Sequence, residues 1–171
     1  MHNRRRWFSE CRFVVLAVLS FAVTAQGQNG PHPAGKNIAE MQFVQIPGMP
    51  TCSTGSVQNG DPTKGPSIIL GKLAAGCLIP WHWHTPNENL MMVTGEARAE
   101  MKDGKSVTLR AGGFAQMPSQ QVHKFGCAKK CMLYIFSDAA FDMHYVDSDG
   151  KEILPDEALK KVRETAAKAP K

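Results

Sequence analysis

His82 and His84 stand two apart in the run Pro80-Trp81-His82-Trp83-His84, and Glu88 follows four residues later. Residues two apart on an extended strand share a face, so the two imidazoles project together at metal-binding distance. Thr85-Pro86-Asn87 turns the chain, which lets Glu88 open the next strand facing the same space. His123 lies in a separate strand-like run introduced by Gly112-Gly113 and Pro118. Three imidazoles and one carboxylate converging in a barrel make a first-row transition-metal site with one or two positions left for water or ligand. The ion expected there is one divalent transition metal, Fe, Mn, Ni, Cu or Zn, with His82, His84, Glu88 and His123 as ligands. Glu88 is also the candidate catalytic base, since a carboxylate can leave the ion to take a proton.

The elements that must position these groups are short. Candidate strands are Gln42–Ile46, Ser67–Leu73, Leu78–His84, Glu88–Thr94, Ala97–Met101, Ser106–Leu109, Gly113–Met117, Val122–Phe125, Met132–Phe136 and Phe141–Val146. Turn signals such as Thr94-Gly95-Glu96 and Lys102-Asp103-Gly104-Lys105 separate them. Many short strands at a spacing of about ten residues indicate an all-β sandwich or barrel. Only Leu154–Lys168 reads as a helix, with Pro155 and acids at its start and basic residues toward its end. Its apolar stripe of Leu159, Val162 and Ala166 is thin, which predicts a loosely docked surface helix.

Alternation also sorts the faces. With His82 and His84 inward, Trp81 and Trp83 point outward, and from Glu88 the inward set continues as Leu90 and Met92. Trp81, Trp83, Met91 and Val93 form an apolar outer surface that must be covered, by an N-terminal strand, by a second copy in a homodimer, or within the chain. Phe114, Met117 and Phe125 are candidate pocket-lining residues inside the barrel. His144 belongs on a strand surface and His32 in the leader. Asp147-Ser148-Asp149-Gly150 lacks the later acidic ligand of a calcium loop and reads as a turn.

The spacing resembles the cupin superfamily. The first cupin motif runs Gly, five residues, His-x-His, three or four residues, Glu, six residues, Gly; Gly76, His82, His84, Glu88 and Gly95 fill every position. The second runs Gly, five residues, Pro-x-Gly, two residues, His, three residues, Asn, and Gly112, Pro118 and His123 match it. Gln120 replaces its second Gly, and Cys127 stands where Asn is usual. The resemblance spans roughly residues 66–137. It implies a cupin double-stranded β-helix, a jelly-roll barrel, to which the C-terminal stretch adds its short α-helix. It also implies that the four residues bind metal.

Two alternatives for function follow. One is a mononuclear metal-dependent dioxygenase or related oxidoreductase acting on a small organic substrate; the other is a non-catalytic cupin that binds a metal or a small ligand. Fold does not choose between them.

Charge and cysteines bear on the address. The 171 residues carry a formal charge of +5, a balance that invites a nucleic-acid or membrane reading. Residues 1–25 account for much of it: Arg4, Arg5, Arg6 and Arg12 precede an apolar run from Phe13 to Val23, too short to span a bilayer, and Val23-Thr24-Ala25 suits cleavage. That segment reads as a signal peptide, Arg5-Arg6 partly matching a twin-arginine signal. Residues 26–40 read as a disordered leader, 41–150 as the barrel, and 151–171 as helix and tail. The remaining charge is +2, all of it in the C-terminal segment, so the barrel offers no nucleic-acid footprint. No stable membrane association is expected after cleavage. An exported chain, periplasmic or extracellular, fits the even set Cys52, Cys77, Cys127 and Cys131. A local Cys127–Cys131 bridge across a hairpin, with Cys52–Cys77 as the second pair, is the favoured connectivity of three. Outside the cytoplasm, divalent affinities favour Cu or Zn.

Overall fold

The computed structural model describes residues 35–168, with side chains as far as residue 162. The expected signal peptide and most of the leader, with His32, lie outside the described residues; the leader's described end carries a 3-10 turn at Ile38–Glu40.

Ten strands follow the turn punctuation: β1 (Ser53–Gly60), β2 (Ser67–Leu73), β3 (Leu78–Trp83), β4 (Glu88–Thr94), β5 (Glu96–Met101), β6 (Ser106–Arg110), β7 (Phe114–Met117), β8 (His123–Cys127), β9 (Cys131–Ser137) and β10 (His144–Tyr145). Helix α1 (Pro155–Lys168) ends the described chain. The strands form two antiparallel five-stranded sheets, β1-β2-β9-β4-β7 and β10-β3-β8-β5-β6, the architecture of a jelly roll. Inward residues alternate as period two requires: Ile69 and Leu73 on β2, Leu90 and Met92 on β4, Ala97 and Ala99 on β5, all buried. Each large apolar side chain removed from water in this way contributes roughly 1.5–3 kcal/mol. Among the described residues no helix is long and apolar enough to cross a membrane.

Several expectations need correction. Gln42–Ile46 is not a strand; only Val44 makes an isolated bridge, exchanging 2.9 Å hydrogen bonds with Gly55. The first strand comes later, as β1, whose polar sequence Ser-Thr-Gly-Ser-Val-Gln-Asn-Gly hides it, and pairing with β2 imposes the extended form. Phe114 does not line the interior: it pairs with outward Met91, and the two are 57% and 43% exposed. Phe114 and Met117 are three apart, so a strand cannot put both on one face; Met117 and Phe125 do point inward, both buried. The expected strand Phe141–Val146 shrinks to β10, because Phe141–Met143 pairs with no strand and places Phe141 and Met143 on the wall of the cavity beside the histidines instead.

Within the chain itself the two tryptophans are half-buried, and no N-terminal strand among the described residues lies on them. Trp83 stacks on His144 of β10 at 3.9 Å between ring centroids, and Trp81 lies under Lys102 and Lys124. Trp81 also shares a cleft wall with Ile153, Ala158 and Val162 from the C-terminal segment. Ala158 is fully packed, so α1 is anchored through a small residue left out of the expected stripe. The cysteines pair as Cys52–Cys77 and Cys127–Cys131. The second pair does not close a hairpin: β8 and β9 belong to different sheets, and the bridge spans the crossover between them.

Candidate metal centre

Strand β3 delivers two of the histidines through an irregularity. Ile79 pairs with Phe125 and His82 with His123, so three steps on β3 match two on β8. One extra residue is accommodated as a β-bulge around Pro80 and Trp81, where a proline, lacking an N–H, costs no ladder bond. The bulge lets Ile79 and His82 both face inward, and His84 follows two residues on. His123 opens β8 directly opposite His82, while Glu88 opens β4 in the other sheet. The centre thus lies between the sheets.

The three imidazoles converge. Ring centroids are 4.2 Å apart for His82 and His123, 4.8 Å for His82 and His84, and 5.4 Å for His84 and His123. One ring nitrogen from each lies within 4.8 Å of the others, a grouping able to hold a metal ion. Glu88 Oε1 is 3.7 Å from His84 Nε2, and its Oε2 is 3.5 Å from His123 Nε2. All four residues are buried, none more than 5% exposed. The structure therefore brings together His82, His84, Glu88 and His123, the four residues expected to act as ligands. His144 stands outside the cluster, bonded to Glu152 at 2.8 Å.

Hydrogen bonding fixes which nitrogen faces the centre. His82 Nδ1 lies 2.7 Å from the Pro80 carbonyl oxygen, His123 Nδ1 lies 2.8 Å from that of Gln121, and His84 Nδ1 approaches that of Asp142. A carbonyl only accepts, so each Nδ1 carries the hydrogen and each Nε2 presents a lone pair. His84 Nε2 is buried without any hydrogen-bond partner. Lone pairs of Nε2 and carboxylate oxygens then face one another at 3.5–3.7 Å, an arrangement that calls for a cation between them.

Protonation agrees with that need. Burial pushes the His82 pKa well below its usual value, helped by His123 and His84. Burial also lowers that of His84, against the pull of Glu88 and Asp142. Burial pushes the Glu88 carboxyl up, yet His84 and His123 outweigh it and hold the group below its ordinary range. Neutral imidazoles beside a carboxylate are the deprotonated donors that a metal requires, and this N/O set suits Zn, Cu, Ni, Fe or Mn.

The turn carrying His84 to Glu88 is held by residues that had no sequence signal. Asp142 Oδ1 accepts from the Thr85 N–H at 2.7 Å, and Asp138 accepts from the Asn87 backbone and side chain at 2.9 and 2.6 Å. Ser119 donates to the Thr85 carbonyl at 2.6 Å. Phe141 packs on the His84 ring at 4.6 Å. Beside the histidines a cavity of about 40 Å³ is walled by aliphatic side chains of both sheets.

Residues 69–136 match the family model for a cupin domain. The stretch that carries the four clustered residues is thus a cupin domain. Among solved structures this chain is similar to an RmlC-like cupin from Shewanella frigidimarina, at 15% identity and a TM-score of 0.53, covering 69% of this chain and 96% of the other. It is likewise similar to KdgF from a Halomonas species, at 15% identity and a TM-score of 0.51, covering 60% of this chain and 92% of the other. At that identity the likeness is one of fold. No curated protein compared with this chain matches it. The departure at Gln120 leaves the cupin turn intact: Gln120 adopts a φ of 61°, the left-handed conformation glycine favours, and its N–H donates to the His84 carbonyl at 2.8 Å.

Proposed function

We propose that this cupin is an exported metalloprotein in which His82, His84, His123 and Glu88 hold one divalent transition-metal ion, leaving coordination positions for a small organic ligand. The observation that carries the reading is the unpartnered, buried Nε2 of His84 facing the Glu88 carboxylate. A bound ion would supply Lewis-acid or redox chemistry at a coordinated ligand atom. The chain's own residues do the rest: the Pro80, Gln121 and Asp142 carbonyls orient the imidazoles, the aliphatic wall excludes water, and Glu88 is the group able to accept a proton. The wall of the cavity carries no lysine, arginine or tyrosine. That scarcity favours a dioxygenase-type reaction, centred on the ion and its ligands, over reactions needing a separate acid and base. Export is supported by the use of all four described cysteines in disulfides and by the signal-like first 25 residues.

Elemental analysis of purified variants tests the ligand set. One ion per chain is expected in the unsubstituted protein, none retained in His82→Ala or His123→Ala, and weakened retention in Glu88→Ala. Full retention by either histidine variant would overturn the assignment. Dioxygen uptake by Fe-, Mn-, Ni- and Cu-loaded protein over a substrate panel separates the catalytic reading from a purely binding one.

A further inference from the structure

Two glycines face each other on the inner side of the sheet beside the centre. Gly55 of β1 pairs with Gly71 of β2. Glycine inside a strand weakens it and commonly marks a close approach to the backbone; over Gly55 that approach is made by Ile46, whose Cδ1 would lie 2.6 Å from an added Cβ. A Cβ built on Gly71 would meet Ile135 Cδ1 at 3.5 Å and Leu133 Cδ2 at 3.7 Å, ordinary contacts. Nothing in the packing forbids a side chain there, and its absence leaves the wall hollow where the cavity passes from His82, Glu88 and His123 toward Leu133 and Ile135.

The chemistry of that wall is one-sided. Apart from the residues of the centre, Ser53 and Thr54 alone on it bear hydroxyls. The Ser53 hydroxyl already donates to the Pro50 carbonyl at 2.8 Å, and Thr54 pairs with Lys72 in the outward set of β1 and β2. No lysine or arginine reaches the cavity, so a carboxylate or ammonium away from the ion would be buried unpaired. Room is limited too: about 40 Å³ holds roughly three waters.

Resting on the metal-binding reading above, we infer that the site selects a ligand with one oxygen-donor head for the ion and a short, uncharged apolar body that lies over Gly71. Polyhydroxylated ligands and those with a second charge are rejected, because each polar group left unpaired in this wall loses on the order of tenfold to a hundredfold in affinity. Each apolar methylene that fits gains about fourfold.

Alkyl hydroxamates test this, titrated into cobalt(II)-loaded full-length protein with the visible cobalt spectrum as the readout. Butyrohydroxamate is expected to bind about tenfold more tightly than acetohydroxamate, and octanohydroxamate no more tightly than butyrohydroxamate. Succinic monohydroxamate, with its second carboxylate, should bind at least tenfold more weakly than butyrohydroxamate. Gly71→Ala should bring butyrohydroxamate down to the acetohydroxamate level while cobalt content and acetohydroxamate affinity stay unchanged. Stoichiometric cobalt with equal affinity for the butyro and succinyl ligands would overturn this inference alone. So would a Gly71→Ala protein that binds like the parent. Failure to hold cobalt at all would overturn the metal-binding reading, and this inference with it. The comparison of ligands on unsubstituted protein decides the matter even if the variant folds poorly.

Discussion

The tautomers of three histidines carry the account at the residue scale. Each imidazole donates Nδ1–H to a backbone carbonyl, and the resulting lone pairs face a carboxylate across 3.5–3.7 Å. Without a metal, that arrangement has a definite pH dependence. Folded His82 and His84 resist protonation, so the unfolded chain binds more protons as pH falls below about 6.5, and stability is lost there. Glu88, held below its ordinary range, contributes stability that is present above about 4.5 and lost at lower pH, the same direction. The melting temperature of metal-free protein should therefore fall steadily from pH 7.5 to pH 5, each histidine contributing up to about 1.4 kcal/mol per pH unit. A flat or rising profile would contradict the buried neutral imidazoles. Gln120 offers a second test. A non-glycine residue in the left-handed conformation costs about 1–2 kcal/mol, partly offset by the backbone entropy glycine loses on folding. Gln120→Gly should raise unfolding free energy by about 0.5–1 kcal/mol in urea titrations, and a loss would show that the Gln120 side chain has a role of its own. His82, His84, Glu88 and His123 were legible in the sequence because a two-residue period and fixed offsets decide which way strand residues point. Asp138, Asp142 and Ser119 were not, because they act on turn backbone from distant parts of the chain, and no local spacing records that.

At the scale of elements, legibility followed hydrophobic contrast. β2 and β4 occupy the ranges their apolar runs predict, Ser67–Leu73 and Glu88–Thr94. β1 escaped notice because its sequence is polar, and its strand state comes from pairing with β2 rather than from its own residues. The bulge in β3 was equally silent, since alternation alone puts Pro80 on the inner face with His82, whereas the extra residue hands that place to Ile79. Disulfides tie these elements at one end of the barrel. Cys77 and Cys127 are linked by a 2.9 Å backbone hydrogen bond, the Cys52 carbonyl accepts from the Ala74 N–H, and Cys131 pairs with Leu73. The Cys52–Cys77 bridge closes a separation of 25 residues, worth about 3.5 kcal/mol by loop-closure entropy. Replacing both cysteines by alanine should lower unfolding free energy by about 3 kcal/mol while the metal content stays unchanged. Loss of the metal with the bridge would mean that the two ends of the barrel are coupled.

For the whole molecule, two sheets enclose a centre supplied by β3 with the residue that follows it, by β4 and by β8, and the C-terminal segment closes the outside. The outward tryptophans, for which a cover from the N-terminus, a second copy or the chain itself was expected, are half-buried against His144, two lysines and the Ile153–Val162 stretch. That packing was legible only in part: Leu159 and Val162 of the expected stripe do pack, but the most deeply buried contact is Ala158, too small to stand out in a hydrophobic stripe. The net charge, which first suggested an acidic partner, belongs to the two ends of the chain, and the barrel itself is neutral. The central claim is a metal ion held by three imidazoles and a carboxylate between the sheets. X-ray absorption fine structure on zinc-loaded protein measures it most directly. The account predicts a nitrogen and oxygen shell at about 2.0–2.2 Å with outer-shell scattering from three imidazole rings. A sulfur shell near 2.3 Å, or scattering from fewer than two imidazoles, would contradict it.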